Sequence, residues 1–204
     1  MERKSHWDNI YLMKDETEVS WHQTHLEKSL QLISLTGVDE EGQIIDVGGG
    51  ASTLVDDLLD RNYKHVTVLD ISATAIEKAK CRLGLRANQV TWFEADITKV
   101  TLPRQIYDVW HDRAVFHFMT SEEDRRKYIG AVKHSLKPKG HIIVAAFGPE
   151  GPKRCSGLNI VRYDADQLHD EFGNSFQLIQ SFSEDHITPF GAKQQFIYCY
   201  CRVC

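Results

Sequence analysis

The sequence predicts an α/β fold: a mostly parallel sheet covered by helices on both faces, with one antiparallel strand near the C-terminal edge. Three observations carry that prediction. Short β-branched or uniformly apolar runs alternate with stretches of helical periodicity. Acidic residues fall at or just past the ends of three early runs, at Asp46, Asp70 and Asp96. Two alternating aromatic segments, at 176–182 and 196–200, follow one another with no helix between them. That last pattern is a hairpin.

The elements follow in order. Residues 1–36 are read as a covering segment followed by a helix. Trp7, Tyr11 and Trp21 sit among polar residues, which suits a segment laid over something. Ser20 and Gln23 have capping-box spacing, so a helix is expected from there, with Leu26, Leu30, Ile33 and Leu35 on its apolar side and Gly37 ending it. Strands are expected at 44–47, 65–70, 90–94, 106–110 and 142–147, then the hairpin, which makes seven. Between them, helices are expected from about Ala51 to Asp60 and at 72–83, where Ile76, Ala79 and Leu83 share a face. Another begins at Ser121, buries Tyr128, Ile129, Val132 and Leu136, and ends before a turn at 137–140. Residues 148–163 read as a loop, and 164–172 as a short helix. The strand at 142–147 is apolar throughout and so central.

The most informative stretch is Gln43-Ile44-Ile45-Asp46-Val47-Gly48-Gly49-Gly50-Ala51-Ser52-Thr53-Leu54. Glycines at 48, 49 and 50 let the backbone turn sharply and approach a ligand closely, and the following helix would aim its N–H groups at that ligand. Dinucleotide folds use such a turn too. Asp46, two residues ahead of the first glycine, discriminates. A pyrophosphate on this turn would be repelled by the carboxylate, whereas a ligand with an ammonium group and no phosphate would be attracted. Asp70 lies about twenty residues further on, where a ribose-binding carboxylate is expected.

Composition sets the remaining bounds. At 204 residues, 42% apolar and 26% charged, the chain fits one globular domain with a full core. A net charge of −5 without a long Lys/Arg block argues against nucleic acid as the main partner. No apolar run is long enough to cross a bilayer, and the first residues lack an apolar signal, so a soluble cytoplasmic protein is expected. Cys81, Cys155, Cys199, Cys201 and Cys204 read as reduced thiols. The last three fall partly in an alternating strand without a second Cys/His pair, so no metal site is expected.

Together these motifs resemble class I S-adenosylmethionine-dependent methyltransferases, which have a Rossmann-like, seven-stranded three-layer sandwich. Asp46-x-Gly48-x-Gly50 is similar to their first motif, with Ser52 in place of the usual third glycine. Trp7-Asp8-x-x-Tyr11 followed by Val19-Ser20-Trp21 resembles a subgroup that includes the lysine methyltransferase of mitochondrial citrate synthase. The stretch 110–118, Trp-His-Asp-Arg-Ala-Val-Phe-His-Phe, is similar to bacterial members of that subgroup. The resemblance implies S-adenosyl-L-methionine as cofactor, with its methionine part over Gly48, Gly49 and Gly50. It implies that Asp70 accepts the ribose hydroxyls, that Ile71 and Ile97 flank the adenine, and that Asp96 accepts its amino group. Trp7, Tyr11 and Trp21 would belong to an N-terminal lid.

The sulfonium makes the methyl group electrophilic, so the protein must chiefly align a nucleophile, with a base only if that nucleophile arrives protonated. Candidates after the fourth strand are His111, Asp112 and His117. Asp112 beside Arg113 also reads as an ion pair, and His117 between two phenylalanines also reads as a core histidine. Cys155, His186, Thr188 and Gln195 are further candidates for the mouth. The acceptor is either a protein lysine or a small molecule. The Asn/Asp-Pro-Pro-Tyr pattern of amide and base methylation is absent after the fourth strand. Other classes that fit the glycine turn are a nicotinamide-dependent oxidoreductase and a non-catalytic S-adenosylmethionine-binding protein.

Overall fold

The computed structural model describes residues 3–204. The chain opens with helix α1 (Arg3–Met13), a 3-10 turn at Glu16–Glu18 and helix α2 (Glu27–Leu35). Then come β1 (Gln43–Val47), α3 (Leu54–Asp60), β2 (His65–Asp70), α4 (Ala73–Leu83), β3 (Val90–Glu94), β4 (Tyr107–Arg113), α5 (Glu122–Ser135) and β5 (Leu136–Phe147). A small ribbon, β6 (Arg154–Cys155) with β7 (Leu158–Asn159), precedes α6 (Ala165–Phe172). The closing hairpin is β8 (Phe176–Ile187) and β9 (Lys193–Val203).

The main sheet has seven strands in the order β3-β2-β1-β4-β5-β9-β8. Strands β1 to β5 pair in parallel, and β9 runs antiparallel to both β5 and β8. This is the expected architecture. Because the chain moves outward from β1 to β3 and then returns to β4, a crevice opens at the carboxyl ends of β1 and β4. Alternation along the strands gives each face its own core. Ile44, Val66, Val68, Val109 and Ile143 pack with α2 and α3, while Ile45, Val47, Trp110, Ile142 and Val144 pack with α5 and α6.

Several boundaries differ from expectation. Helix α2 starts at Glu27 instead of near Ser20, because the main chain at Ser20 and the Gln23 side chain are bound to His186 of β8. Leu35, at its last turn, is exposed. Helix α3 starts at Leu54 instead of Ala51. Strand β4 runs three residues past Trp110, so His111, Asp112 and Arg113 are strand residues, all buried. Residues 137–140 lie inside β5, where Lys139 has φ +65° and the pairing with β4 shifts register. The loop after β5 contains the unpredicted β6–β7 ribbon.

The N-terminal segment is anchored by polar contacts. Ser72 caps α4, its hydroxyl accepting from Ala75 N at 3.1 Å and donating to Asp8 of α1 at 2.8 Å. Asp8 also accepts from Thr74 N, and Lys4 pairs with Asp8 and Glu94. Arg3 reaches Asp124 at the start of α5. Thus α1 spans the carboxyl ends of β2 and β3, and no helix among the described residues is long and apolar enough to cross a membrane. Ser72→Ala removes the cap and the anchor together. It should lower the unfolding free energy by about 1–2 kcal/mol in urea denaturation.

Candidate functional site

The glycine turn is shaped by contacts that leave no room for side chains. Gly48 has φ +75°, and a Cβ there would meet Val115 Cγ2 at 2.0 Å. A Cβ on Gly49 would lie 2.2 Å from Asp46 Oδ2. Gly50 donates its N–H to Asp70 Oδ2 at 3.0 Å, tying the end of β2 to the turn. Asp70 Oδ1 accepts from Ser72 N at 2.8 Å. The Asp70 carboxyl is buried, which pushes its pKa up to about 6 against the opposing pull of those two N–H donors.

A cavity of about 270 Å³ lies at the carboxyl ends of the strands. Val47, Gly48, Asp70 and Ile71 form one wall, and Asp96 with Ile97 forms another. Trp7, Tyr11 and Trp21 cover it from the N-terminal segment. These three and Phe118 make an edge-to-face cluster, with Trp7 5.1 Å from Phe118 and 5.8 Å from Trp21. Asp96 Oδ1 accepts from the Thr98 amide and hydroxyl, which fixes that carboxylate at the rim. The ribbon closes the remaining side with Cys155 and Leu158. Burial pushes the Cys155 thiol up to about 11 and the Tyr11 phenol higher, so both stay protonated at neutral pH.

A smaller cavity of about 40 Å³ adjoins the turn and is lined by Asp46, Gly48, Gly49, His111 and Arg113 together with Tyr11 and Trp21. Asp46 is 2% exposed. His111 Nδ1 lies 2.7 Å from Asp46 Oδ1, and its Nε2 lies 2.8 Å from the Ser29 hydroxyl oxygen. His111 therefore orients Asp46 and has no nitrogen left for a substrate.

Asp112 does not face either cavity. It is fully buried toward α5, where it accepts from Tyr128 O–H at 2.5 Å and from Val115 N at 2.9 Å. Trp110 Nε1 donates to the same Tyr128 oxygen at 3.0 Å. Nor does Asp112 pair with Arg113, because adjacent strand residues point to opposite faces. Burial raises the Asp112 carboxyl to about 7, although the Tyr128 hydroxyl favours its ionised form. His117 is likewise enclosed, stacked 4.5 Å from Phe147 and accepting at Nδ1 from Phe147 N. Burial, followed by the charge of Arg113, pushes it down to about 3, so it is a neutral core imidazole.

Of the other candidates, only Cys155 lines the cavity. His186 holds Ser20 O and Gln23, Thr188 caps its hairpin tip, and Gln195 accepts from Glu150 N. Gly50, also expected at the ligand, braces Asp70 and lines neither cavity. Cys199 and Cys201 are buried core thiols. Phe118 and Arg113 are among the lining residues that the sequence reading does not place at the site. Phe118 was read only as a neighbour of His117, although its place in an aromatic-rich stretch was a usable signal. Arg113 was read as a partner of Asp112.

Residues 44–140, a little under half of the chain, match the family described as a methyltransferase domain. The eEF1A lysine and N-terminal methyltransferase of Mus musculus is 24% identical over 119 residues, 58% of this chain and 17% of that protein. The chain thus spans less than a fifth of that relative's length. The malonyl-[acyl-carrier protein] O-methyltransferase of Anoxybacillus flavithermus is 31% identical over 106 residues, 52% of this chain and 39% of that one. Among solved structures, the N-methyltransferase NodS of Bradyrhizobium japonicum WM9 in complex with S-adenosyl-L-homocysteine covers 99% of both chains, with 15% identity and a TM-score of 0.75. The fold is the Rossmann-like methyltransferase fold.

Tyr128→Phe withdraws the hydroxyl that serves both Asp112 and Trp110. The variant should lose about 1–3 kcal/mol of unfolding free energy in urea. The loss should be larger above pH 7, where Asp112 is ionised and needs the donor, than at pH 5.

Proposed function

We propose that the chain is an S-adenosyl-L-methionine-dependent methyltransferase that binds its cofactor in this crevice. The observation that carries the reading is the placement of Asp70 and Asp96 on the larger cavity and of Asp46 on the smaller one, with Gly48 of the glycine turn lining both. Bound there, the cofactor supplies a methyl group that passes to an in-line nucleophile while the carbon–sulfur electron pair stays on sulfur, leaving S-adenosyl-L-homocysteine. Asp70 accepts both ribose hydroxyls through lone pairs that its two backbone donors leave free. Ile71 and Ile97 sandwich the adenine, and Asp96 Oδ2 accepts its amino group. Asp46 attracts the ammonium of the methionine end. Trp7, Tyr11 and Trp21 act as a lid that excludes water.

Among the described residues, the acceptor end offers no base. Tyr11 and Cys155 are held protonated, and His111, Asp112 and His117 are committed elsewhere. The chain therefore works by proximity and orientation on a nucleophile that arrives unprotonated. Setting aside Asp70 and Asp96, the ionisable side chains of the larger cavity whose charge is fixed at neutral pH are Arg3 and Arg113, both cationic. A lysine ammonium would meet no carboxylate there. The reading is a small-molecule acceptor in preference to the protein lysine of the subgroup that the N-terminal motif resembles.

Labelled methyl groups incubated with a fractionated lysate should appear in the small-molecule fraction. Label confined to protein would overturn the acceptor class. For the cofactor, hydroxyl donors favour the ionised Asp70, whose pKa of about 6 lies in an accessible range. S-adenosyl-L-homocysteine affinity should be constant above about pH 7 and fall toward tenfold per pH unit below about pH 6. In Asp70→Asn the affinity should be weaker and that slope absent, as calorimetry can show.

A further inference from the structure

Two buried polar atoms lack partners where the glycine turn meets the N-terminal segment. Arg113 is 8% exposed. Its Nε donates to the Tyr198 hydroxyl at 3.2 Å, its Nη1 donates to Trp21 O at 2.9 Å, and its plane lies 4.4 Å above the Phe196 ring. Its Nη2 has no hydrogen-bond partner. Across the same small cavity, Asp46 Oδ2 is also unpartnered, its other oxygen being taken by His111. The two do not satisfy each other.

Buried charged groups are expected to be paired, and an unpaired one in a walled cavity marks a ligand contact. A carboxylate and a guanidinium that line a single cavity, each with one unpartnered atom, form the complement of a zwitterion. An α-amino acid group carries an ammonium and a carboxylate on one carbon, which matches that pair. We infer that Arg113 binds the carboxylate at the methionine end of the cofactor and, through its bond to Trp21 O, couples that carboxylate to closure of the N-terminal segment. This rests on the cofactor reading above and assigns a residue from β4 that no pairing with Asp112 explains.

Arg113 has a second possible use: holding Trp21 alone. A purely structural clasp would treat ligands with and without the carboxylate alike, and that difference is measurable. Calorimetry would compare S-adenosyl-L-homocysteine with S-adenosyl-3-thiopropylamine, which keeps the amine and lacks the carboxylate. Wild type should prefer the first by about 10- to 100-fold, the range of a hydrogen bond between charged groups. In Arg113→Met the preference should collapse toward one. Arg113→Lys, which keeps the charge but not the fork, should retain only part of the preference.

Amide exchange at residues 19–23 of wild type should slow more with S-adenosyl-L-homocysteine than with the analogue. Equal binding of both ligands to wild type, or an unchanged preference in Arg113→Met, would overturn the inference while the cofactor reading stands. Binding of neither to wild type would overturn both.

Discussion

The constraint on which the site depends is a carboxylate buried at the carboxyl end of β1. Asp46 has almost no access to water, so its oxygens need partners other than bulk solvent. One is answered by His111, its register partner on β4, which is itself held by Ser29 of α2. The other lies against Gly49, where any side chain would displace it. The three-glycine turn, the β1–β4 pairing and the docking of α2 therefore serve a single buried charge. That charge sets what the turn can hold. Under the proposed reading it would repel a pyrophosphate and attract an ammonium.

The second organising feature is the length of β4. Had the strand ended at Trp110, His111 and Asp112 would stand at the mouth as free acid–base groups. Its continuation to Arg113 sends Trp110 and Asp112 to the α5 face and His111 and Arg113 to the α2 face. The first pair joins Tyr128 in a closed hydrogen-bond chain that stabilises the core. The second pair lines the smaller cavity beside the N-terminal segment. Four consecutive residues thus divide between the core and the cavity wall by alternation alone.

The strands and their order were legible because their signals are local. Apolar runs, acids at strand ends and glycines after β1 can be read within a few residues. The same holds for the cavity walls at Asp70, Ile71, Asp96 and Ile97. What was not legible depends on distant partners. Helix α1 is fixed by Asp8 meeting Ser72 and by Arg3 meeting Asp124, contacts no local pattern announces. The capping pair at Ser20 and Gln23 misled because His186 binds both from the far end of the chain. The acid–base candidates show a related limit: residue type suggested groups open at the mouth, whereas the fold buries His111, Asp112 and His117.

The central claim is that Asp46 makes this glycine turn a site for an amino-acid-bearing nucleoside and not for a dinucleotide. The most direct test is calorimetric titration of the wild-type protein with S-adenosyl-L-homocysteine and, separately, with NADH. Micromolar binding of S-adenosyl-L-homocysteine with no heat from NADH is the result this account predicts. Binding of NADH without binding of S-adenosyl-L-homocysteine would contradict it.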